Sequence, residues 1–382
     1  MSPDSVTLRE AATPALVLDR RKLKGNCEGM TTRSHALGVR LRPHMKTLKS
    51  TEVARYAIDP LHGGIAVATL NEAEYFAQEG ITDIQYAVCI SPDKLPRAAR
   101  VLGRAPQFSF FIDSLETAKH AMEFARANNA PFRIWLEMDC GEHRTGVDPE
   151  DPMMLDLARL LSQSPLNFQG IATHAGHSYR ASGPEELRAV AHAERLGAVS
   201  AAQRLRAAGI EVRGVSVGST PTAVNLISGE GLTEIRAGVY MAGDLFQVSL
   251  RSLSLDDVAV TVLATVISDN RSHGQIVIDA GGLALSKDRS TAVGPGPDRD
   301  YGLVLDVFGR PFSPELTVAD VHQEHGEIRV HTRRQFDLLP IGTKVRIVPN
   351  HVCMTAAMYD SYLVTEGTEQ IVDTWRRTNG WQ

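Results

Sequence analysis

Eight short runs of apolar and β-branched residues recur between residues 38 and 238, and this repeat constrains the fold more than any other feature of the sequence. Most of the stretches between them are helix-like, and the one that begins PEELRAVAHAERLG is rich in Ala, Leu, Arg and Glu, which favour helix. Strands that alternate with helices favour βαβ units and a parallel sheet. Eight such units predict a (β/α)8 barrel, although the gap between 219 and 233 is short for a full helix. The eight runs are 38–44, 64–69, 83–88, 108–113, 132–139, 168–174, 214–219 and 233–238.

The rhythm changes after residue 245, where apolar runs follow one another without long helical stretches between them. The spacers are rich in Gly and Pro, which predicts an antiparallel β domain. A strand-like run at 14–19 precedes the barrel, and we assign it to the same β domain. We therefore expect an α/β protein with a barrel over 20–245 and a β domain over 246–382 that also takes 1–19.

Charge and hydropathy exclude several classes of partner. The 382 residues carry a formal net charge of −5 without a basic run, which argues against nucleic acid and anionic membranes. No apolar stretch approaches the length of about 20 residues that spans a bilayer. The N-terminus lacks a basic segment followed by an apolar one, so we expect no secretory signal. Four scattered cysteines without CxxC spacing indicate a reducing cytoplasm.

Barrel enzymes carry their chemistry at the C-terminal ends of the strands. The loops after the seventh and eighth runs, GSTPT and AGVY, offer small residues, hydroxyls and free backbone N–H groups, as a phosphate site requires. Lys46 follows the first run, and burial there would favour a neutral amine able to form a Schiff base. Phosphate loops together with such a lysine suggest pyridoxal 5′-phosphate (PLP).

Five segments together resemble the fold-type III PLP enzymes related to alanine racemase. They are RPHMKT (42–47), THAGHSY (173–179), VSVGSTPTA (215–223), EIRAGVY (234–240) and PNHVC (349–353). Within that group the chain is similar to the D-serine dehydratase and D-threo-3-hydroxyaspartate dehydratase branch, with D-threonine aldolases as nearby relatives. The resemblance covers nearly the whole chain. It implies a PLP-binding TIM barrel, a C-terminal β domain, a homodimer and a divalent metal beside the PLP.

The resemblance also implies roles for individual residues. Lys46 matches the lysine that binds PLP covalently, and Arg236 matches an arginine held against the pyridine nitrogen. His174 matches a residue packed on the ring face, Arg144 is expected to bind the phenolate oxygen, and Tyr179 resembles an active-site tyrosine. The phosphate loops are expected to consist of Gly218, Ser219, Thr220, Gly238, Val239 and Tyr240.

His351 and Cys353 match the metal-binding pair of the family. On a strand, residues two apart point to one face, which permits joint coordination. Zinc takes thiolate and imidazole readily, so zinc is the expected metal, with Mn, Mg or Co as alternatives. Only two protein ligands are visible, so water or substrate would complete the shell, and His325 is a further candidate near the metal. The aldolases usually carry His-x-Asp here, so Cys353 favours the dehydratase branch.

The resemblance predicts a lyase that removes water from a D-3-hydroxy amino acid, namely D-threo-3-hydroxyaspartate or D-serine, and releases a 2-oxo acid and ammonia. A D-threonine or D-3-hydroxyaspartate aldolase, which would release glycine and an aldehyde, uses almost the same parts. An amino-acid racemase, a PLP-binding protein without turnover and a PLP-free barrel enzyme remain further alternatives. Four residues are candidates for recognising a second substrate carboxylate, although each is also an ordinary surface charge: His177, Arg180, Lys287 and Arg289.

Overall fold

The computed structural model describes residues 6–381 and divides into two compact units. The barrel unit comprises Gly29–Gly238, and the β unit comprises Val239–Asn379 with the N-terminal segment up to Glu28. The domain boundaries inferred from the sequence, 20–245 and 246–382 with 1–19, stay a prediction.

The barrel unit is built on eight parallel strands, each formed by one of the eight apolar runs. The chain enters through strand β1 (Ala15–Asp19) and helix α1 (Arg20–Ala36). The barrel strands are β2 (Arg40–Pro43), β3 (Ile65–Val67), β4 (Ile84–Cys89), β5 (Ser109–Ile112), β6 (Arg133–Met138), β7 (Asn167–Thr173), β8 (Gly214–Val217) and β9 (Glu234–Ala237). They pair in chain order from β3 to β9, and β9 pairs with β2. A parallel bridge between His44 and Ala66 brings β2 to β3, so the predicted barrel is confirmed as nearly closed.

The helices of the barrel unit follow the strands, and several begin at a side chain that accepts a hydrogen bond from the first turn. Thr69 accepts a hydrogen bond from the backbone of Glu72, and Ser114 accepts one from Thr117. The short gap between the last two barrel strands holds only a six-residue helix. The helices are α2 (Thr51–Ala57), α3 (Leu70–Gln78), α4 (Leu95–Leu102), α5 (Leu115–Asn128), α6 (Pro152–Ser162), α7 (Pro184–Ala207) and α8 (Thr220–Asn225).

The β unit contains a nine-stranded, mostly antiparallel sheet. Its strands are β1 with β10 (Val260–Asn270), β11 (Gln275–Ile278), β12 (Leu303–Asp306), β13 (Pro311–Val321), β14 (Gly326–Arg329), β15 (Lys344–Val348), β16 (Ser361–Thr365) and β17 (Ile371–Arg376). The order is β11-β14-β13-β12-β15-β10-β1-β16-β17. Strand β1 joins it as predicted, antiparallel to β10 and parallel to β16. Four short helices complete the unit: α9 (Leu245–Ser249), α10 (Gly282–Leu285), α11 (Arg333–Leu338) and α12 (Val352–Ala356).

No helix between residues 6 and 381 is long and apolar enough to cross a bilayer.

Candidate active site

Lys46 lies three residues beyond the end of β2, at the C-terminal rim of the barrel, and its side chain is exposed. The expectation that this lysine is buried is therefore wrong, because the chain has already left the strand when it reaches residue 46. Burial, and then the charge of Lys46, lowers the pKa of His174 to about 3. The same two causes, with Arg236 and His174, hold the pKa of His44 well below its usual value. Two neutral imidazoles thus accompany Lys46 at the rim.

The orientation of His174 is fixed by a backbone carbonyl. Its Nδ1 lies 2.9 Å from the carbonyl oxygen of Gly218, so the neutral ring donates from Nδ1 and leaves Nε2 as an acceptor. This contact also joins the end of β7 to the loop after β8. The residue predicted to pack on the cofactor ring is therefore held by a residue of the predicted phosphate loop.

The predicted phosphate loops of the barrel unit come together because β2, β9 and β8 are neighbours. A Cβ atom on Gly238 would lie 2.5 Å from the His44 carbonyl oxygen, and one on Gly218 would lie 2.6 Å from that of Arg236. Only glycine allows this close approach of the neighbouring backbone. Ser219 and Thr222 form a capping box at the start of α8, with Thr222 Oγ1 accepting from Ser219 N at 2.9 Å. Thr220 is buried as the first residue of that helix.

Val239 and Tyr240, the rest of the predicted phosphate set, lie in the β unit and are buried there. Burial raises the pKa of the Tyr240 hydroxyl well above its usual value, so it stays protonated. Their assignment to a phosphate site stays a prediction.

Arg236 is a buried cation on β9 with two fixed hydrogen bonds. It donates to Ser216 Oγ at 2.5 Å and to the carbonyl of Thr173 at 2.7 Å. Its guanidinium lies 5.4 Å from the centre of the Phe111 ring. Burial lowers its pKa, whereas the carboxylates of three buried residues raise it: Glu234, Glu194 and Glu137. This balance keeps a positive charge at the strand ends, in a single orientation.

Arg144 and Tyr179 occupy the loops after β6 and β7. Arg144 is exposed and lies 3.4 Å from a carboxylate oxygen of Glu142, and its charge contributes to the lowered pKa of His174. Tyr179 is half-buried in the short helical turn Gly176–Arg180. Both residues are thus on the rim, and their contacts with a cofactor stay predictions.

The barrel interior also holds a polar group that sequence reasoning missed. The Cys89 thiol donates to Glu137 at 2.9 Å, and Asp113 offers an oxygen within 4.8 Å of both. Burial, then Glu137, raises the pKa of Cys89, so the thiol stays protonated. The sequence suggested only that Cys89 is a small buried residue, because its partners lie 24 and 48 positions away.

Glu194 is a second buried carboxylate without a sequence signal. It lies on α7, is 2% exposed, and its Oε1 accepts from the backbone N–H groups of Ala175 at 2.9 Å and Gly218 at 3.0 Å. One oxygen therefore joins the residue after His174 to the first residue of a predicted phosphate loop. A glutamate among the Ala, Arg and Glu residues of α7 reads as solvent-facing, so only the fold reveals this role.

The predicted metal pair lies in the β unit, but its placement on a strand is wrong. Strand β15 ends at Val348, His351 stands at the N-terminal cap of α12, and Cys353 lies inside that helix. The two side chains nevertheless interact. Burial would lower the pKa of His351, but hydrogen bonds to Asp288 and Cys353 raise it to about 11. Pro349 gives the physical reason for the strand end, because proline cannot donate to a ladder.

Asp288 lies beside the predicted metal pair, although no motif in the sequence indicates it. Its Oδ2 lies 3.2 Å from His351 Nδ1, and its other oxygen accepts from Ser290 N at 2.8 Å. A carboxylate on one ring nitrogen orients a histidine and leaves the other nitrogen for a metal. Imidazole, thiol and this supporting carboxylate form a donor set that suits zinc.

The remaining candidates are surface residues. His325 is exposed in the turn between β13 and β14, and Arg180 and Lys287 are exposed. Arg289 pairs with Asp298 at 2.7 Å and lies 5.0 Å from the centre of the Tyr301 ring. His177 is half-buried, and its Nδ1 has no hydrogen-bond partner within the described chain. Their roles in substrate or metal binding stay predictions.

Two family models match the chain. The model described as "Alanine racemase, N-terminal domain" matches residues 18–245, and "Putative serine dehydratase domain" matches residues 259–365.

Curated relatives match along the whole chain. D-threo-3-hydroxyaspartate dehydratase of Delftia sp. (strain HT23) is 41% identical over 98% of this chain and 99% of its own length. D-serine dehydratase of Dictyostelium discoideum is 33% identical over 100% of both. D-threonine aldolase of Arthrobacter sp. is 29% identical over 94% of this chain and 90% of its own length.

A solved structure is also similar to this chain over nearly its whole length. A cysteine-to-alanine mutant of a D-threo-3-hydroxyaspartate dehydratase, in the metal-free form, superposes with a TM-score of 0.94 and 40% identity. The match covers 98% of this chain and 100% of that one.

Proposed function

This chain belongs to the alanine racemase N-terminal domain family and carries a serine dehydratase domain C-terminal to that domain. From this membership we propose that it is a PLP- and metal-dependent dehydratase of D-3-hydroxy amino acids. The resemblance and the fold class that the sequence predicted are confirmed. The observation that carries the proposal is the His-x-Cys donor set, present in a chain that matches a named dehydratase from end to end. The reaction removes the 3-hydroxyl as water to give an enamine, which becomes an imine, and hydrolysis of the imine by one water yields a 2-oxo acid and ammonia.

PLP fits the barrel unit, because Lys46 is accessible at the rim and the ends of β8 and β9 offer close-packed glycine backbone. Lys46 holds the cofactor, Gly218, Ser219, Thr220 and Gly238 hold its phosphate together with Val239 and Tyr240, and Arg144 and Tyr179 support the ring. When bound, PLP supplies an electron sink for the charge that develops at the substrate Cα.

Lys46 is also the proposed base for the Cα proton. Its amine is free for this task once substrate has taken its place, and the neighbouring imidazoles of His44 and His174 are neutral. Arg236, which is buried and charged, would face the pyridine nitrogen of bound PLP and would disfavour protonation of that atom. The electron sink is then weaker, so departure of the 3-hydroxyl needs a second source of assistance.

His351 and Cys353 are proposed to hold that second source, a divalent metal, with zinc as the expected ion. A Lewis acid at the 3-hydroxyl makes it a better leaving group. Asp288 contributes by fixing the His351 ring. The proposed substrate is D-threo-3-hydroxyaspartate, with D-serine as the alternative, and the proposed form is a cytoplasmic homodimer.

A product assay tests the proposal directly. The purified protein, loaded with PLP and zinc, is incubated separately with D-threo-3-hydroxyaspartate, D-serine and D-threonine. We expect ammonia and a 2-oxo acid in equal amounts, with D-threo-3-hydroxyaspartate converted fastest. Glycine and an aldehyde would instead establish the retro-aldol alternative, and inversion at Cα without either product would indicate a racemase.

Substitution of Glu194 tests whether its hydrogen bonds to Ala175 and Gly218 position the PLP-binding loops. Glu194→Leu leaves the N–H groups of Ala175 and Gly218 without an acceptor, at a cost of about 2–4 kcal/mol in unfolding free energy. We expect PLP affinity, measured by absorbance titration, to fall about tenfold or more. Glu194→Gln keeps a carbonyl acceptor and should restore most of that affinity. If Glu194→Leu instead binds PLP as tightly as Glu194→Gln and the unaltered protein do, the contact does not position the loops.

A further inference from the structure

Three side chains of types that can bind a metal, two imidazoles and a carboxylate, meet at the N-terminal end of the barrel unit. His35 is the second-last residue of α1, Asp59 follows α2 by two residues, and His62 precedes β3 by three. Each offers one ligand atom, and all three atoms lie within 4.8 Å of one another. We propose that His35, Asp59 and His62 form a second divalent-metal site, of the zinc type, that joins α1 to the segment between α2 and β3.

The carboxylate is already held in a ligand-like orientation. The Asp59 side chain is 0% exposed, and its Oδ1 accepts from the backbone of Leu61 at 2.9 Å. Its Oδ2 lies 2.8 Å from His35 Nε2. Buried carboxylates need such contacts, because an uncompensated charge is costly to bury. The Leu61 bond leaves Oδ2 as the oxygen that faces the imidazoles.

The two histidines do not share the carboxylate equally. The His62 ring stands 6.1 Å from the His35 ring, centre to centre, at an interplanar angle of 83°. Within the described residues the His62 ring makes no hydrogen bond to Asp59, although it offers a nitrogen to the same cluster. An ion pair between Asp59 and His35 leaves this second imidazole unexplained. A tetrahedral ion with two imidazoles and one carboxylate uses all three groups.

The surroundings permit a cation. Arg40 is a basic side chain on the same cavity wall, and it pairs with Asp83 and lies 3.6 Å from Glu234, so its charge is compensated. His35 and His62 also line a surface cavity together with Leu61 and Arg40. An ion that enters this cavity meets both imidazoles, and it would bind Asp59 behind them by displacing the His35 N–H, with water completing the shell.

The site would be a structural metal site and not a catalytic centre. Its ligands close the N-terminal ends of β2 and β3, whereas chemistry in these barrels occurs at the opposite ends of the strands. Bound metal stabilises a protein when it binds the folded state alone. We therefore expect zinc to raise the melting temperature without changing turnover.

Zinc content after dialysis tests the site. The PLP-loaded, full-length protein is stripped of metal, dialysed against Zn²⁺ and analysed for zinc per chain. The Cys353→Ala background removes the metal pair of the β unit from the count. We expect Cys353→Ala to retain one zinc and Cys353→Ala/His62→Ala to retain none. Zinc should raise the melting temperature of the first variant by a few degrees and leave the second unchanged.

His120→Ala is the matched control, because His120 is exposed on the same unit and its Nδ1 lies 3.0 Å from the carbonyl oxygen of Glu116 on its own helix. It should keep the zinc and the stabilisation. His62→Ala alone should keep full activity, which also shows that the variant is folded. Equal zinc content with and without His62 in the Cys353→Ala background would overturn the proposal and leave an ordinary ion pair.

Discussion

Lys46→Ala is expected to abolish both the visible absorbance of protein-bound PLP and the release of ammonia. The reason is that the proposed reaction uses this amine twice, to hold the cofactor and to take the Cα proton. We expect activity to fall at least about a thousandfold, because removing a group with both roles eliminates covalent and general-base catalysis together. Absorbance spectra and the ammonia assay measure the two losses.

Lys119→Ala is the matched control, since Lys119 is an exposed lysine on α5 of the same unit. It should keep the spectrum and the activity. In the unaltered protein, borohydride reduction followed by peptide mass analysis should place PLP on the peptide that contains Lys46. A covalent cofactor on another peptide, or a persistent spectrum in Lys46→Ala, would remove the central assignment.

The barrel could be read from the sequence because its strands are continuous apolar runs. Every residue of β5 and of β8 is buried, so the strand interior is apolar or small throughout. Strands β13 and β17 lack such a run of buried residues. Strand β13 contains Pro311 and Pro314 and is mostly exposed in its first half, and β17 is an edge strand with one buried residue. Exposed edges carry little hydrophobic periodicity, so such strands are recognised only through their pairing.

Site residues that belong to a local sequence motif could be predicted. Residues that act on a segment far away in the sequence could not. Lys46 and Gly218 follow strands and Arg236 lies near the end of one, so all three could be placed on one rim from the barrel geometry alone. Glu194 and Asp288 could not, because each acts through a contact with a segment that only the fold brings close. The exposure of Lys46 and the helical position of Cys353 depend on where a strand ends, which periodicity locates poorly.

Cys353→Ala is expected to lower dehydration at least about a hundredfold, with a loss that excess zinc restores only in part. The thiolate is one of only two proposed protein ligands, and loss of even a supporting residue costs about 10–100-fold in metal affinity or activity. Cys140→Ala is the matched control. Cys140 is half-buried in the barrel unit, and burial raises its pKa to about 12, so it is a poor ligand. A zinc titration of ammonia release measures the effect.

Asp288→Asn distinguishes a catalytic metal from a structural pair. It leaves both proposed ligands in place but weakens the hydrogen bond that orients His351. We expect the zinc concentration for half-maximal activity to rise about tenfold or more, while activity at saturating zinc stays near that of the unaltered protein. Such a shift has no explanation if His351 and Cys353 serve packing alone. If Cys353→Ala instead kept full activity in metal-free buffer, the metal would have no part in removing the hydroxyl. Side chains of the barrel unit would then have to assist departure of the 3-hydroxyl.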